Sequence, residues 1–131
     1  MRYLIPWQFI RVAGSSMTPS LLPDDVVLVR HNAPVVAGDV VLARFRSRPQ
    51  LNVVKRAAVR TGAGWTVVSD NAVGIDSTTY GPADVLAVAR WVVPGKARRR
   101  LAAAGAFADD RSRLAWLAER LPRRVASQEL S

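Results

Sequence analysis

Gly14-Ser15-Ser16-Met17-Thr18-Pro19-Ser20-Leu21-Leu22-Pro23-Asp24-Asp25 runs directly into Val26-Val27-Leu28-Val29-Arg30, and the join between these two segments decides the fold class. Pro19 and Pro23 fix φ and each removes a backbone donor, so the first segment is neither a regular strand nor the interior of a long helix. Gly14 permits a tight turn or the close approach of another group. The second segment is β-branched and follows the turn residues Pro23-Asp24-Asp25, which is the pattern of a strand. The first expectation is therefore a serine held on a rigid, accessible turn between strands. On composition alone the same segment is equally an ordinary solvated turn.

Outward from this join the pattern repeats. Residues 7–13 read as a short strand leading into the turn, with Trp7 and Phe9 either in the core or forming an apolar lip on the surface. Ala33-Pro34 breaks the strand at 26–30, and Gly38-Asp39 marks the next turn. A strand over 40–46 follows, whose end at Arg44, Phe45, Arg46 and Arg48 alternates only partly and suggests a sheet edge or an exposed end. Pro49-Gln50 turns into a strand over 51–60. Thr61-Gly62-Ala63-Gly64 makes a hairpin with 65–69, residues 70–80 form a polar loop, and a last strand spans 85–93 before Pro94-Gly95. Many short strands with turns between them predict a mainly β, barrel-like domain over residues 1–94.

From Lys96 the composition changes. Leu101, Phe107, Leu114, Leu117 and Leu121 recur at helical intervals, Asp109-Asp110 suits a helix start, and Pro122 suits a stop. The expectation over 95–131 is a basic, amphipathic helical tail with a frayed end. Such a tail either packs on the β domain or lays a basic face on an anionic membrane surface or a partner.

Within the strand over 51–60, side chains alternate between faces. Val53, Lys55, Ala57 and Val59 share the more apolar face, and Val54, Arg56, Ala58 and Arg60 the more polar one. The chain has 17 arginines but only two lysines, so a lysine among small apolar neighbours invites a chemical reading. Arginine keeps its proton in proteins, whereas a buried lysine can lose it. A lysine that snorkels from a half-buried strand fits the same pattern.

Composition excludes several chemistries. There is no cysteine, which removes disulfides, thiolate metal sites and cysteine nucleophiles, and the single histidine, His31, cannot build a metal cluster. No cofactor is implied. The formal charge is +9, with basic residues outnumbering acidic ones by 10 to 6 in residues 1–94 and by 9 to 4 in residues 95–131. No nucleic-acid motif accompanies the charge, so nucleic acid is not an expected partner. Tyr3 to Ile10 is apolar, but it falls far short of the ~20 residues a spanning helix needs. It also lacks the flanks of a secretory signal. The expectation is a cytoplasmic chain without a transmembrane span, with peripheral membrane contact as the alternative.

After the Ser-Met-x-Pro segment come, in order, Gly38-Asp39-Val40-Val41, Val53-Val54-Lys55-Arg56-Ala57-Ala58-Val59, Ser69-Asp70-Asn71, Asp76-Ser77 and Tyr80-Gly81-Pro82. Over roughly residues 12–94 this ordered set resembles the signal peptidase I-like serine–lysine peptidases (S26/S24-type). Lacking a membrane anchor before the serine block, the chain looks closer to small accessory members than to the general signal peptidase; soluble members that mature nickel-type superoxide dismutase by removing a short leader are one such group, which its compactness and the Val-Val-Lys-Arg-Ala block resemble. The resemblance implies a coiled β-sheet domain, with Ser16 as nucleophile and Lys55 as general base. It also implies a protein or peptide substrate with small residues before the cut. In the family the backbone N–H of the nucleophile stabilises the oxyanion, and many members add a hydroxyl two residues earlier. That position is Gly14 here, so a second donor would come from a backbone N–H or from Ser15. The resemblance places Asp70, Asn71, Asp76 and Ser77 in the supporting loop, although Asx side chains commonly do no more than rigidify such loops. Met17 and Pro19 would flank the substrate. The chain departs from the family pattern at Ser69 (usually Gly), at Thr78 (often Arg) and at Gly74, where some members carry a serine that contacts the lysine.

A serine becomes a nucleophile only when a base takes its proton. A free lysine, with a pKa of ~10.4, is a cation near neutral pH. Burial disfavours the charged form, and the apolar neighbours of Lys55 would supply that burial. Ser16 Oγ and Lys55 Nζ are then expected within roughly 2.6–3.2 Å of each other in the competent state. Two further classes compete. One is a non-catalytic peptide-binding module on the same fold. The other is a self-cleaving regulator of the repressor type, for which only thirteen residues precede Gly14; a variant has Ala102-Ala103-Ala104-Gly105 occupying the chain's own cleft.

Overall fold

Alternating and continuous apolar runs place the chain in one antiparallel sheet, and the difference between the two kinds of run sets each strand's position in it. The structure, a computed structural model, describes residues 6–18, 20–71, 77–95, 122–125 and 127. Strands β1 (Trp7–Arg11), β2 (Val26–His31), β3 (Val40–Phe45), β4 (Asn52–Thr61), β5 (Gly64–Val68), β6 (Ala83–Val93) and β7 (Arg123–Arg124) lie in the order β1-β2-β6-β3-β4-β5, with β7 beside β6. One helical turn, α1 (Ser77–Tyr80), precedes β6. A bridge between Trp65 and Ala83 joins β5 back to β6. The pairing path β6-β3-β4-β5-β6 is thereby closed, and the domain is mainly β and barrel-like, as the turn spacing predicts.

In β2 burial alternates cleanly: Val27, Val29 and His31 face inward, and Arg30 faces solvent. This is the signature of a strand covered on one side. In β3 five of six residues are buried, because both faces are covered. Val40 and Leu42 join one apolar cluster with Val12, Met17, Leu21, Val27 and Val29. Val41, Ala43 and Phe45 join a second with Ala57, Val67, Ala83 and Val88. Of the two expectations for Arg44, Phe45, Arg46 and Arg48, the sheet edge does not hold and the exposed end does, with all three arginines exposed. β3 lies between β6 and β4, and only its Arg44 side chain emerges.

β6 supplies both clusters as β3 does. Its first half pairs with β3 and its second half with β2, each across a register shift. Among the described strands, β1 pairs only with β2. Phe9 is 66% exposed, while Trp7 is capped by the Arg30 guanidinium 5.2 Å above its ring. Among the described residues no helix is long and apolar enough to cross a membrane. The expected helices between 96 and 121 lie outside the described residues. Arg123 and Arg124, expected in a frayed end, instead form β7, where the Arg124 guanidinium sits over Trp91.

Candidate active site

The serine turn is the loop of the β1–β2 hairpin, and its two ends are tied together. Val12 N–H donates to the Asp25 carbonyl, and Asp24 N–H donates to the Val12 carbonyl, both at 2.8 Å. Inside the loop, Leu21 N–H donates to the Met17 carbonyl at 2.8 Å, forming one helical turn. That turn points Met17 and Leu21, each 1% exposed, into the first apolar cluster. The buried Asp25 carboxylate accepts Leu22 N–H at 2.9 Å and Gly95 N–H at 2.7 Å, fixing the exit of the loop. Ser16 is carried on this plugged and stapled platform, half-buried, with its carbonyl accepting Asn71 N–H at 2.8 Å.

Opposite the turn stands β4. Its pleat sends Lys55 and Arg56 to opposite faces, and both are buried, at 4% and 2% exposure. Lys55 Nζ donates to Ser69 Oγ at 3.0 Å. Arg56 forks onto Asp70, Nε to Oδ1 at 2.8 Å and Nη2 to Oδ2 at 2.7 Å, while Nη1 donates to the Gly38 carbonyl at 2.7 Å. Ser20 Oγ adds a 2.5 Å bond to Asp70 Oδ2. Burial alone would raise the Asp70 carboxyl, but hydrogen bonds from Arg56 and Ser20 and the positive charge of Arg56 outweigh it, and Asp70 titrates below its ordinary value.

A cleft of about 180 Å³ opens between residues 11–14 and Ser16 on one wall and residues 52–55 on the other. Ser16 and Lys55 thus face one space. Here the Lys55 amine donates to Ser69 Oγ, and the direct contact with Ser16 is expected of the competent state. Catalytic hydrogen bonds are often long or absent without substrate and tighten in the complex.

The remaining expected site residues divide. Met17, expected to flank the substrate, is a core residue, since its side chain plugs the first cluster. At Gly14 a Cβ would meet nothing within 4 Å, so neither steric crowding nor a left-handed backbone requires glycine there. Ser15 is exposed, and its carbonyl accepts Thr18 N–H at 3.1 Å. Asp70 and Asn71 are brought to the site, one through Arg56 and the other through Ser16. Ser77 instead supports β5, with Oγ accepting Val67 N–H at 2.8 Å. Pro19, Gly74 and Asp76 lie outside the described residues. Arg56, assigned by alternation to the polar face, is the most deeply buried cation among the described residues, since a bidentate carboxylate takes the place of water. Ser20, Asp25 and Ser69 have no site role in the sequence reading. Ser69 stands out there only as a departure from glycine, and Ser20 and Asp25 look like routine turn residues.

A family model described as Peptidase S24-like matches residues 7–92, a span that runs from the first residue of β1 into the end of β6. No curated protein matches the chain.

Proposed function

The chain belongs to the Peptidase S24-like family, and on that premise we propose that it is a serine endopeptidase in which Ser16 is the nucleophile and Lys55 the general base. The observation that carries the reading is the shared cleft: the half-buried hydroxyl of Ser16 and the buried amine of Lys55 line its two walls. In the neutral form, Lys55 Nζ takes the Ser16 proton as Oγ bonds to the scissile carbonyl carbon. The oxyanion faces the Ser16 backbone N–H, which bonds to nothing among the described residues. The ammonium then returns its proton to the leaving amine, and water, deprotonated by the same amine, releases the acyl group.

The family resemblance points to small residues before the cut and to removal of a leader or propeptide. A short leader of the kind removed from nickel-type superoxide dismutase is the first substrate to test. The arginine-rich segment over 95–131 is the proposed contact for an anionic surface or a partner, and nucleic acid is not a proposed partner.

One observation favours a second reading, a non-catalytic peptide-binding module: Ser16 Oγ has no hydrogen-bond partner among the described residues, Lys55 included. Cleavage of a diverse peptide library by wild type, Ser16→Ala and Lys55→Met, read by mass spectrometry, separates the two. The peptidase reading expects cuts after small residues by wild type and a loss of at least about 10³-fold in both variants. Binding of the same peptides by all three proteins, with none cleaved, supports the module.

A further inference from the structure

Two cationic side chains, Arg11 and Lys55, line the cleft beside the serine turn, and no acidic one does among the described residues. The two cations differ in kind. Lys55 is buried, and it serves as a base only when neutral. Arg11 is exposed at the end of β1 and keeps its charge at any working pH. Arg30, Arg46, Arg48 and Arg124, also exposed, each rest against a partner: Trp7, Asp84, Tyr80 and Trp91. Arg11 has no such partner among the described residues and, unlike them, it lines the cleft. The acids of its own hairpin do not answer it. Asp25 is buried, with its carboxylate accepting Leu22 and Gly95 N–H, and Asp24 makes no ion pair with it. On the opposite wall, the exposed Asn52 has the exposed Arg44 as its cross-strand neighbour, which adds a cation and no acid.

From this arrangement we infer that Arg11 is a specificity-determining residue, and that the cleft selects peptides with an aspartate or glutamate about three to five residues from the scissile bond; the inference rests on the dyad reading above. The position follows from reach. An extended peptide advances about 3.3 Å per residue, and Arg11 lies five residues before Ser16 and three before Gly14. The class of side chain follows from charge and shape. A guanidinium presents a planar fork of donors that a carboxylate matches with two parallel bonds. A lysine or arginine at the same substrate position meets a like charge, so the site discriminates by repulsion as well as attraction. The walls of a cleft lined by one sign of charge focus its field, and a chain with a net charge of +9 draws acidic segments from a distance. Arg11 takes no part in bond making, so its contact is the same in the ground state and the transition state, and it acts on KM.

The probe is a set of peptides with small residues at the cut, in which one glutamate is moved from position to position and compared with glutamine at the same place. Wild type, Arg11→Gln and Arg11→Glu are tested, with circular dichroism confirming the fold of each. For wild type the expected ratio of kcat/KM, glutamate over glutamine, is roughly 3- to 10-fold at one position three to five residues from the cut. It should reside in KM and shrink as NaCl is raised from about 50 to about 500 mM. Arg11→Gln should bring the ratio to about one, and Arg11→Glu should invert it, so that lysine is preferred to glutamine. A wild-type ratio of one at every position overturns the inference, and so does a preference that Arg11→Gln leaves intact. Fluorescence anisotropy with Ser16→Ala and the same labelled peptides separates this result from the fate of the dyad. Tighter binding of the glutamate peptide, lost when Arg11→Gln is added, supports the inference even where wild type cleaves nothing and the dyad reading alone fails. Equal binding of the two peptides, or none, overturns it. Cleavage that needs Ser16 and Lys55 but ignores the glutamate leaves the dyad standing and overturns the role of Arg11.

Discussion

At the scale of single residues the site depends on a charge pair largely shielded from water, with Arg56 buried and Asp70 partly so. Arg56 is buried and forked onto Asp70, so removing the carboxylate takes away both bonds of the fork and the negative charge that offsets the guanidinium. Asp70→Asn should destabilise the fold by about 3 kcal/mol, as measured by urea denaturation. The double change Arg56→Met with Asp70→Leu should cost less than Asp70→Asn, since it strands no charge. The pair also sets an acid response. The carboxyl of Asp70 titrates below its ordinary value of 3.8 in the fold. Its stabilisation is therefore fully present above the unfolded value and is lost as pH falls through the folded one. The urea midpoint of the wild type should hold steady down to about pH 5 and decline from about pH 4, and Asp70→Asn should lose the part of that decline due to this group. Lys55 was legible because lysine is rare in an arginine-rich chain. Arg56 was not, because alternation says which face a cation occupies but not whether a carboxylate waits there.

At the scale of elements, strands and turns were legible where local chemistry decides them. Six of the seven strands follow from β-branched runs bounded by Gly, Pro and Asp, with ends displaced by one or two residues. Sheet order was not legible, because the position of β3 and β6 between two partners each depends on contacts remote in sequence. The two glycines at the margins of the site separate the local from the remote. Gly14 reads in the sequence as permitting a tight turn or a close approach, yet a Cβ there meets nothing within 4 Å. Gly95 looked like a simple strand terminator, yet a Cβ there would collide with the Asp24 carbonyl, while its N–H is bonded to the buried Asp25. The serine turn thus leaves the sheet beside Gly95, and backbone on both sides cannot move apart without breaking that bond. Gly95→Ala should lower the urea midpoint by the equivalent of about 1–3 kcal/mol, whereas Gly14→Ala should leave it within about 0.5 kcal/mol of wild type. Equal effects from the two substitutions would refute the close-packing argument.

For the whole molecule, the question is whether two apolar clusters make one cooperative unit. The first lies under the serine turn and includes Met17 and Leu21; the second lies inside the closed path of β3, β4, β5 and β6 and centres on Phe45. No stretch of polar chain separates them. β3 gives Val40 and Leu42 to one and Val41, Ala43 and Phe45 to the other, and β6 divides Ala87 and Ala89 from Ala83 and Val88 in the same way. Loosening either cluster therefore loosens strands that wall the other. Phe45→Ala removes a fully buried ring from the second cluster and should cost about 3–5 kcal/mol. Tryptophan fluorescence can tell where that loss is felt. One reporter protein keeps only Trp65, which packs against the second cluster, and another keeps only Trp91 on the outer half of β6, beyond it; the other tryptophans become phenylalanine. Each reporter should unfold in urea in a single transition, and Phe45→Ala should shift both midpoints together. A Trp91 midpoint that stays in place while that of Trp65 falls would mean that the serine platform is stable independently of the closed sheet. Shifting together, they would show that a cavity on the far side of β3 reaches the platform that holds Ser16, since β3 and β6 cannot lose one face and keep the other.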